Sequence, residues 1–267
     1  MKYKNNAAKL SLLMVLPVAH SAIANENYQP ASDWEVELGI GAMYEPISPG
    51  IDKSEFGVVP YVDITYKERF FLNGERGIGA YLYQGEMPSG DFALGLSFDY
   101  DDGRDSSDFD NNSPYKRLGD IKGSVVGKMF AEAEFGIWSA DIEFAQALSS
   151  SGHKGWYVEA GVGIEGEVAK DLYMGIGPSV RFSSKKLLEA YYGVNQKQAN
   201  DTGFKTYNPG TGLENVGFGT WGRYSVTDDW SVLWEVEYQR LMGDAKDSPV
   251  SNKTGQVMTG LAVSYTF

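Results

Sequence analysis

The sequence predicts an all-β chain that closes into an antiparallel, up-and-down transmembrane β-barrel. Three observations carry this prediction: segments in which apolar residues alternate with polar or small ones, connections that alternate between long and short, and the absence of a helix-length apolar run. The last segment is the clearest. In residues 257–267, Val257, Leu261, Val263, Tyr265 and Phe267 share one face at period two, with Thr259 the exception, while Met258, Gly260, Ala262, Ser264 and Thr266 share the other. One face suits lipid, the other a barrel interior.

The same alternation opens the sheet, where Trp34, Val36, Leu38, Ile40, Ala42 and Tyr44 are interleaved with Glu35, Glu37, Gly39, Gly41 and Met43. It returns with Val58, Val62, Ile64 and Tyr66, with Phe92, Leu94, Leu96, Phe98 and Tyr100, and with Trp138, Ala140, Ile142 and Phe144. Further instances are Trp156, Val158, Ala160, Val162 and Ile164, then Leu172, Met174, Ile176, Val180 and Phe182, then Val232, Trp234, Val236 and Tyr238. Weaker versions occupy 121–134 and 214–226. Aromatics end many of these apolar faces, where interfacial girdles sit. Residues 66–83 read either as two short strands around the turn-like Asn73-Gly74 or as one interrupted strand, and the choice gives twelve strands or, alternatively, ten.

Connection lengths set the topology. Counting back from Phe267, 243–255 is long and polar, 227–229 short, 191–212 long, 169–171 short, 149–154 a loop, 135–137 tight, and 101–120 long and acidic. Long connections belong outside and short turns in the periplasm, which places both ends of the barrel chain on the periplasmic side.

At the amino terminus, Lys2, Lys4 and Lys9, an apolar run over 10–18 and the small-residue pattern Ala22-Ile23-Ala24 predict a secretory leader over 1–24. A periplasmic segment (25–32) and the barrel (33–267) follow. With 36 acidic against 23 basic side chains, three of the latter in the leader, nucleic acid is excluded as a partner, because its binding relies on cationic neutralisation of phosphate. The chain has no cysteine, so thiolate metal sites and cysteine nucleophiles are also excluded. Its 32 glycines, 17 tyrosines, 13 phenylalanines and 6 tryptophans suit one closed sheet.

Several motifs together carry a family resemblance: Pro60-Tyr61 followed by Arg69-Phe70-Phe71-Leu72, Tyr191-Tyr192-Gly193-Val194 opening a long connection, and residues 243–250 (Gly-Asp-Ala-Lys-Asp-Ser-Pro-Val) before the last strand. From about Trp34 to Phe267 the chain resembles the MipA/OmpV family, also called MltA-interacting protein, of Gram-negative outer membranes. The resemblance implies an outer-membrane barrel, and one member is similar to a scaffold joining a murein hydrolase to a murein synthase. It brings no catalytic residue and no cofactor. The terminal aromatic pair Tyr265 and Phe267 resembles the signal read by the barrel assembly machinery, with Ala262 where a glycine is usual.

Three constellations bear on function. Asp99, Asp101, Asp102, Asp105, Asp108 and Asp110 crowd one external connection, and Asp108, Asp110 and Asn112 match the first ligand positions of a calcium loop. Ser113 and Gly119 stand where that loop needs its glycine and its bidentate glutamate, so a solvated face is expected, in contact with lipid and lipopolysaccharide. His153, beside Ser149, Ser150 and Ser151, is read as a turn residue rather than a general base, and His153→Ala is expected to be silent. Finally, alternation turns Glu35, Glu37, Asp141, Glu143, Glu159, Glu165, Glu235 and Glu237 inward, with Lys122, Lys128, Arg181 and Arg223. Paired charges filling the lumen are expected over a selective pore. The resulting expectation is a non-enzymatic envelope-organising barrel, the alternatives being a narrow solute channel and an outer-membrane lipid-modifying enzyme.

Overall fold

The computed structural model describes residues 32–267. The expected leader (1–24) lies outside the described residues, as does the expected segment 25–32 apart from Ser32. Twelve strands close into one barrel, each antiparallel to its neighbours, with β1 and β12 forming the seam. They are β1 (Trp34–Pro46), β2 (Ser54–Tyr66), β3 (Phe70–Asn73), β4 (Gly77–Met87), β5 (Gly90–Asp101), β6 (Ser124–Phe135), β7 (Trp138–Ala147), β8 (Trp156–Ala169), β9 (Leu172–Ser183), β10 (Gly212–Ser225), β11 (Trp230–Leu241) and β12 (Gly255–Thr266). Twelve strands replace the alternative of ten, because 66–83 divides into the four-residue β3 and the eleven-residue β4.

The alternation in sequence is the alternation in space. On β12, Leu261 and Val263 are 54% and 42% exposed while Ala262 and Ser264 are 1% and 0% exposed, so the register is the one that puts aliphatic side chains on the outer wall. Ile40, Val58, Ile78, Leu94, Ile142 and Val162 extend this apolar belt around the barrel. Aromatics crowd its periplasmic edge, where the ring centroids of Trp34 and Tyr66 are 4.5 Å apart, those of Trp230 and Tyr265 5.1 Å, and those of Tyr265 and Phe267 4.8 Å. The Phe267 amide donates to the Val36 carbonyl at 3.0 Å, so the last residue extends the seam.

Periplasmic turns are short. Between β2 and β3, Lys67 and Glu68 both take φ 53°, the backbone of a tight hairpin whose twist matches its strands. The external end is different from a set of solvated loops. Residues 184–211 contain α1 (Lys185–Tyr192) and α2 (Gln196–Thr202), and α3 (Gly243–Asp247) precedes β12. The sequence reading finds no helical domain, and these are three short helices within connections rather than one, but they were not anticipated. Leu187, Leu188, Tyr191 and Tyr192 fall on one helical face, and they bury it with Ile121, Leu241 and Ala245. A second cluster gathers Ile51, Phe109, Leu118, Val194 and Val250 from different external connections. Apolar side chains in loops find partners in one another, and the result is a packed lid over the external mouth.

Candidate functional site

Beneath the lid the interior is charged, and its bases are paired with carboxylates. Arg223 of β10 donates through Nη1 and Nη2 to the Glu37 carboxylate of β1 at 2.9 and 2.7 Å, and Ser264 of β12 donates to the same carboxylate. This bidentate pair spans the seam, with fork geometry that fixes orientation as well as charge. Arg181 donates through Nε to Glu159 at 2.6 Å and stacks 4.3 Å from the centre of the Tyr157 ring. The Tyr157 hydroxyl donates to Glu143 at 3.0 Å, and Lys128 lies 2.9 Å from Asp99 and 3.6 Å from Glu143. From the turn between β3 and β4, Arg76 reaches Glu132 at 2.7 Å and covers the Phe130 ring at 4.0 Å.

The remaining inward acids have softer partners. Glu237 accepts from Gln239 at 3.0 Å and Glu165 from the Trp221 indole at 3.2 Å. Glu235 lies half-buried on the same strand face as Glu237, while Glu35 and Asp141, toward the periplasmic end of their strands, are exposed. Bases are therefore set among carboxylates rather than along a separate basic strip. Lys122 does not belong to this set: it is exposed in the connection 102–123, one step before the alternation of β6 begins.

The lid docks onto the wall through polar contacts as well as apolar ones. Glu214 of β10 accepts from the hydroxyls of Ser183 and of Tyr192, the latter at 2.8 Å, and all three residues are buried. The Tyr191 hydroxyl donates to Asp101 at 2.8 Å, and the Ser248 hydroxyl to the Tyr192 carbonyl at 2.6 Å. α2 is tied down by Gln198, which donates to the Leu118 carbonyl at 2.8 Å.

His153 is part of this docking rather than a solvated turn residue. It is 4% exposed, its Nδ1 accepts from the Gly155 amide at 3.0 Å, and its Nε2 lies 3.7 Å from Asp101. The neighbouring serines serve the backbone: Ser149 accepts from the Val125 amide and Ser151 donates to the Gly123 carbonyl. Burial pushes the imidazole below its usual range, with Asp101 and Glu214 pulling the other way. The expectation that His153→Ala is silent is therefore withdrawn, since that change empties a packed site. Burial likewise pushes the Arg104 guanidinium down to about 10, against the pull of Tyr191 and Asp120.

The calcium-loop candidates do not converge. The Asp110 carboxylate is exposed 3.8 Å from Lys53, the Asp108 carbonyl accepts from Lys53 at 2.7 Å, and Asn112 is exposed. Asp105 caps a 3-10 turn by accepting from the Ser107 amide, and the Ser106 side chain, with the Ser106 amide from which Asp120 accepts, holds the Asp120 carboxyl below the usual range. Among the described residues no three His, Asp or Glu side chains form a metal-holding group. Lid docking was missed from sequence, although Ser184 before a face of Leu187, Leu188, Tyr191 and Tyr192, and the Asn195–Gln198 capping box, were readable as helix starts.

Solved structures of similar architecture include the KdgM porin, with 10% identity, 87% of this chain and 99% of that one covered, and a TM-score of 0.41. The translocator domain of the autotransporter NalP from Neisseria meningitidis has 10% identity, covers 92% of both chains and gives a TM-score of 0.44. Proteins named MltA-interacting protein from Escherichia coli (strain K12) and Shigella flexneri are each 33% identical over 91 residues, which is 33% of this chain and 36% of the relative. The aligned stretch thus spans about a third of the curated relatives it matches. The profile of the family described as MltA-interacting protein MipA matches residues 38–267. That match takes in β1 from residue 38 and all of β2 to β12, and the chain, an outer-membrane β-barrel, belongs to the MltA-interacting protein MipA family.

Proposed function

We propose that this barrel organises the envelope by protein–protein contact, docking a murein hydrolase, and through it a murein synthase, at its periplasmic rim. The observation that supports this reading most is the asymmetry of the two ends. The external mouth is filled by a lid whose side chains are committed to one another, with Leu188 and Tyr192 fully buried. The periplasmic rim instead presents short charged turns, among them Asp33 with Lys67 and Lys170 with Asp171. Such turns are too small to enclose a reaction but suit a charge-complementary surface, where steering raises the rate of encounter. What supports a non-enzymatic reading is that His153 is packed against Asp101 and Tyr191 while Ser149 and Ser151 bond to the backbone.

A photo-activated cross-linking side chain placed at Glu68 or Lys170, and at Lys197 on the external α2 as the contrast, tests the proposal. Adducts with a murein hydrolase are expected from the two rim positions and none from the lid. Rim positions that yield no adduct, together with stepwise ion conductance of the purified barrel in planar bilayers, would replace the scaffold with the channel reading.

A further inference from the structure

The barrel wall has a notch on its external half. β3 has four residues where β2 has thirteen and β4 eleven, so β2 pairs with β3 only from Asp63 to Tyr66. Residues 54–62 pair with β1 alone. Across the gap, β4 begins at Gly77 and its pairing with β5 starts at Ile78 and Phe98, which leaves residues 99–101 of β5 paired only with β6. The floor is the turn 74–76, folded inward and held there by the Arg76–Glu132 pair and by Lys128, whose ammonium donates to the Glu75 carbonyl at 3.0 Å.

The free edge of β2 has a definite chemistry. Main-chain bonds between β1 and β2 join odd-numbered residues, as in Lys67 to Asp33 and Ile47 to Lys53, so the even-numbered residues of 54–62 aim their amides and carbonyls into the gap. Pro60 is one of these. In the middle of a thirteen-residue strand a proline is tolerated only where no partner strand requires its amide, and at an edge it opposes the addition of one. Outward side chains beside the gap are apolar and bare: Phe56 is 69% exposed, Val58 65%, Ile78 60% and Phe98 56%. On the inner side there is room, because a side chain at Gly57 would meet nothing within 4 Å.

Polar main-chain groups facing hydrocarbon need partners, and an occupant that is not a strand must supply them. The geometry points to an ester-linked acyl lipid of the external leaflet as that occupant: its chain lies against Phe56, Val58, Ile78 and Phe98, its ester carbonyls accept from the amides of Phe56 and Val58, and the notch gives it lateral access to the lumen beneath the lid. Pro60 disfavours a peptide strand in the same place. This goes beyond the scaffold reading and does not depend on it.

The chain has no cysteine, so single cysteines are unambiguous. Bimane is attached at Gly57→Cys (inward, at the notch), Val58→Cys (outward) and Gly219→Cys (inward, on a strand paired on both sides). Each variant is first shown to assemble by heat-modifiable gel mobility. In proteoliposomes of phosphatidylcholine brominated on one acyl chain, quenching at 57 is expected to approach that at 58 and to exceed that at 219 by at least threefold. Equal, weak quenching at 57 and 219 would show a wall closed to lipid and overturn the proposal. Quenching at 57 that disappears as protein density rises, while that at 58 persists, would assign the notch to a second copy of this chain and overturn it as well.

Discussion

At the scale of single residues, the decisive fact is which inward carboxylates are already satisfied. Glu37 has Arg223 and Ser264, so the surplus acidity suggested by the sequence around β12 is not available there. From alternation alone, which turns Glu35, Glu37, Glu235 and Glu237 inward beside β12, Ser264→Arg is expected to be mild. In the fold Ser264 is completely buried beside a carboxylate already bridged by a guanidinium, and a second cation would be overpacked and repelled. Glu214 presents the opposite case, a buried carboxylate whose two donors come from the wall and from the lid. Tyr192→Phe removes the lid's donor without changing shape. It is expected to destabilise lid docking by about 1–3 kcal/mol, the penalty for an acceptor left short of a partner in a dry site. Amide exchange over 185–202 reads this directly: protection lost there while β10 and β11 stay protected is the expected pattern, and unchanged protection would mean Glu214 is solvated after all.

At the scale of elements, the strands were legible and the lid was not, for one physical reason. A wall strand has lipid on one side and lumen on the other, so its period-two pattern is imposed by two uniform media and survives in the sequence of β1, β5 or β12 unaided. The lid has no such frame. Phe109, Leu118 and Val194 are buried only because separate connections meet, and nothing local to any of them announces the others. His153 belongs to that class, and its protonation tests the element as a whole. Because burial lowers its folded value below an unfolded value of about 6.5, the neutral ring's contribution is fully present above that pH and is lost as the pH falls through the folded value. The facing groups are Asp101 from β5, Glu214 from β10 and Tyr191 from α1. The urea midpoint for lid opening, followed by amide exchange of Trp156, whose amide donates to Ser184 ahead of α1, and of residues 185–192, is expected to drop between pH 7 and pH 5. In His153→Gln that drop should shrink; an identical drop in both proteins would assign the acid sensitivity to other groups.

At the scale of the molecule, the barrel exists only once β1 meets β12, the pairing of greatest separation along the chain. Closing such a contact is entropically the most costly step of a β topology, so interactions that span the seam carry unusual weight. Among them, the Phe267 amide extends the β1–β12 ladder at its periplasmic end, and Glu37 joins β1 at once to Ser264 of β12 and Arg223 of β10. The side chains of Arg223 and Glu37 are 24% and 12% exposed, so breaking the pair is costly without reaching the full penalty of a deeply buried ion. Glu37→Gln is expected to cost about 2–4 kcal/mol, because the guanidinium then faces the interior without its bidentate counter-charge. Adding Arg223→Gln should recover part of that loss, since the guanidinium deprived of its bidentate partner is then gone. The measurements are the urea midpoint of the assembled barrel in detergent and the fraction of chain running at the compact, unheated position. Deletion of Phe267 removes only the end of the ladder, so it should lower the assembled fraction more than the midpoint. If Glu37→Gln leaves the midpoint untouched, or if the double variant is no better than the single, the charge pair does not close the seam, and main-chain pairing with the external contacts of Gln256 and Lys253 must hold it.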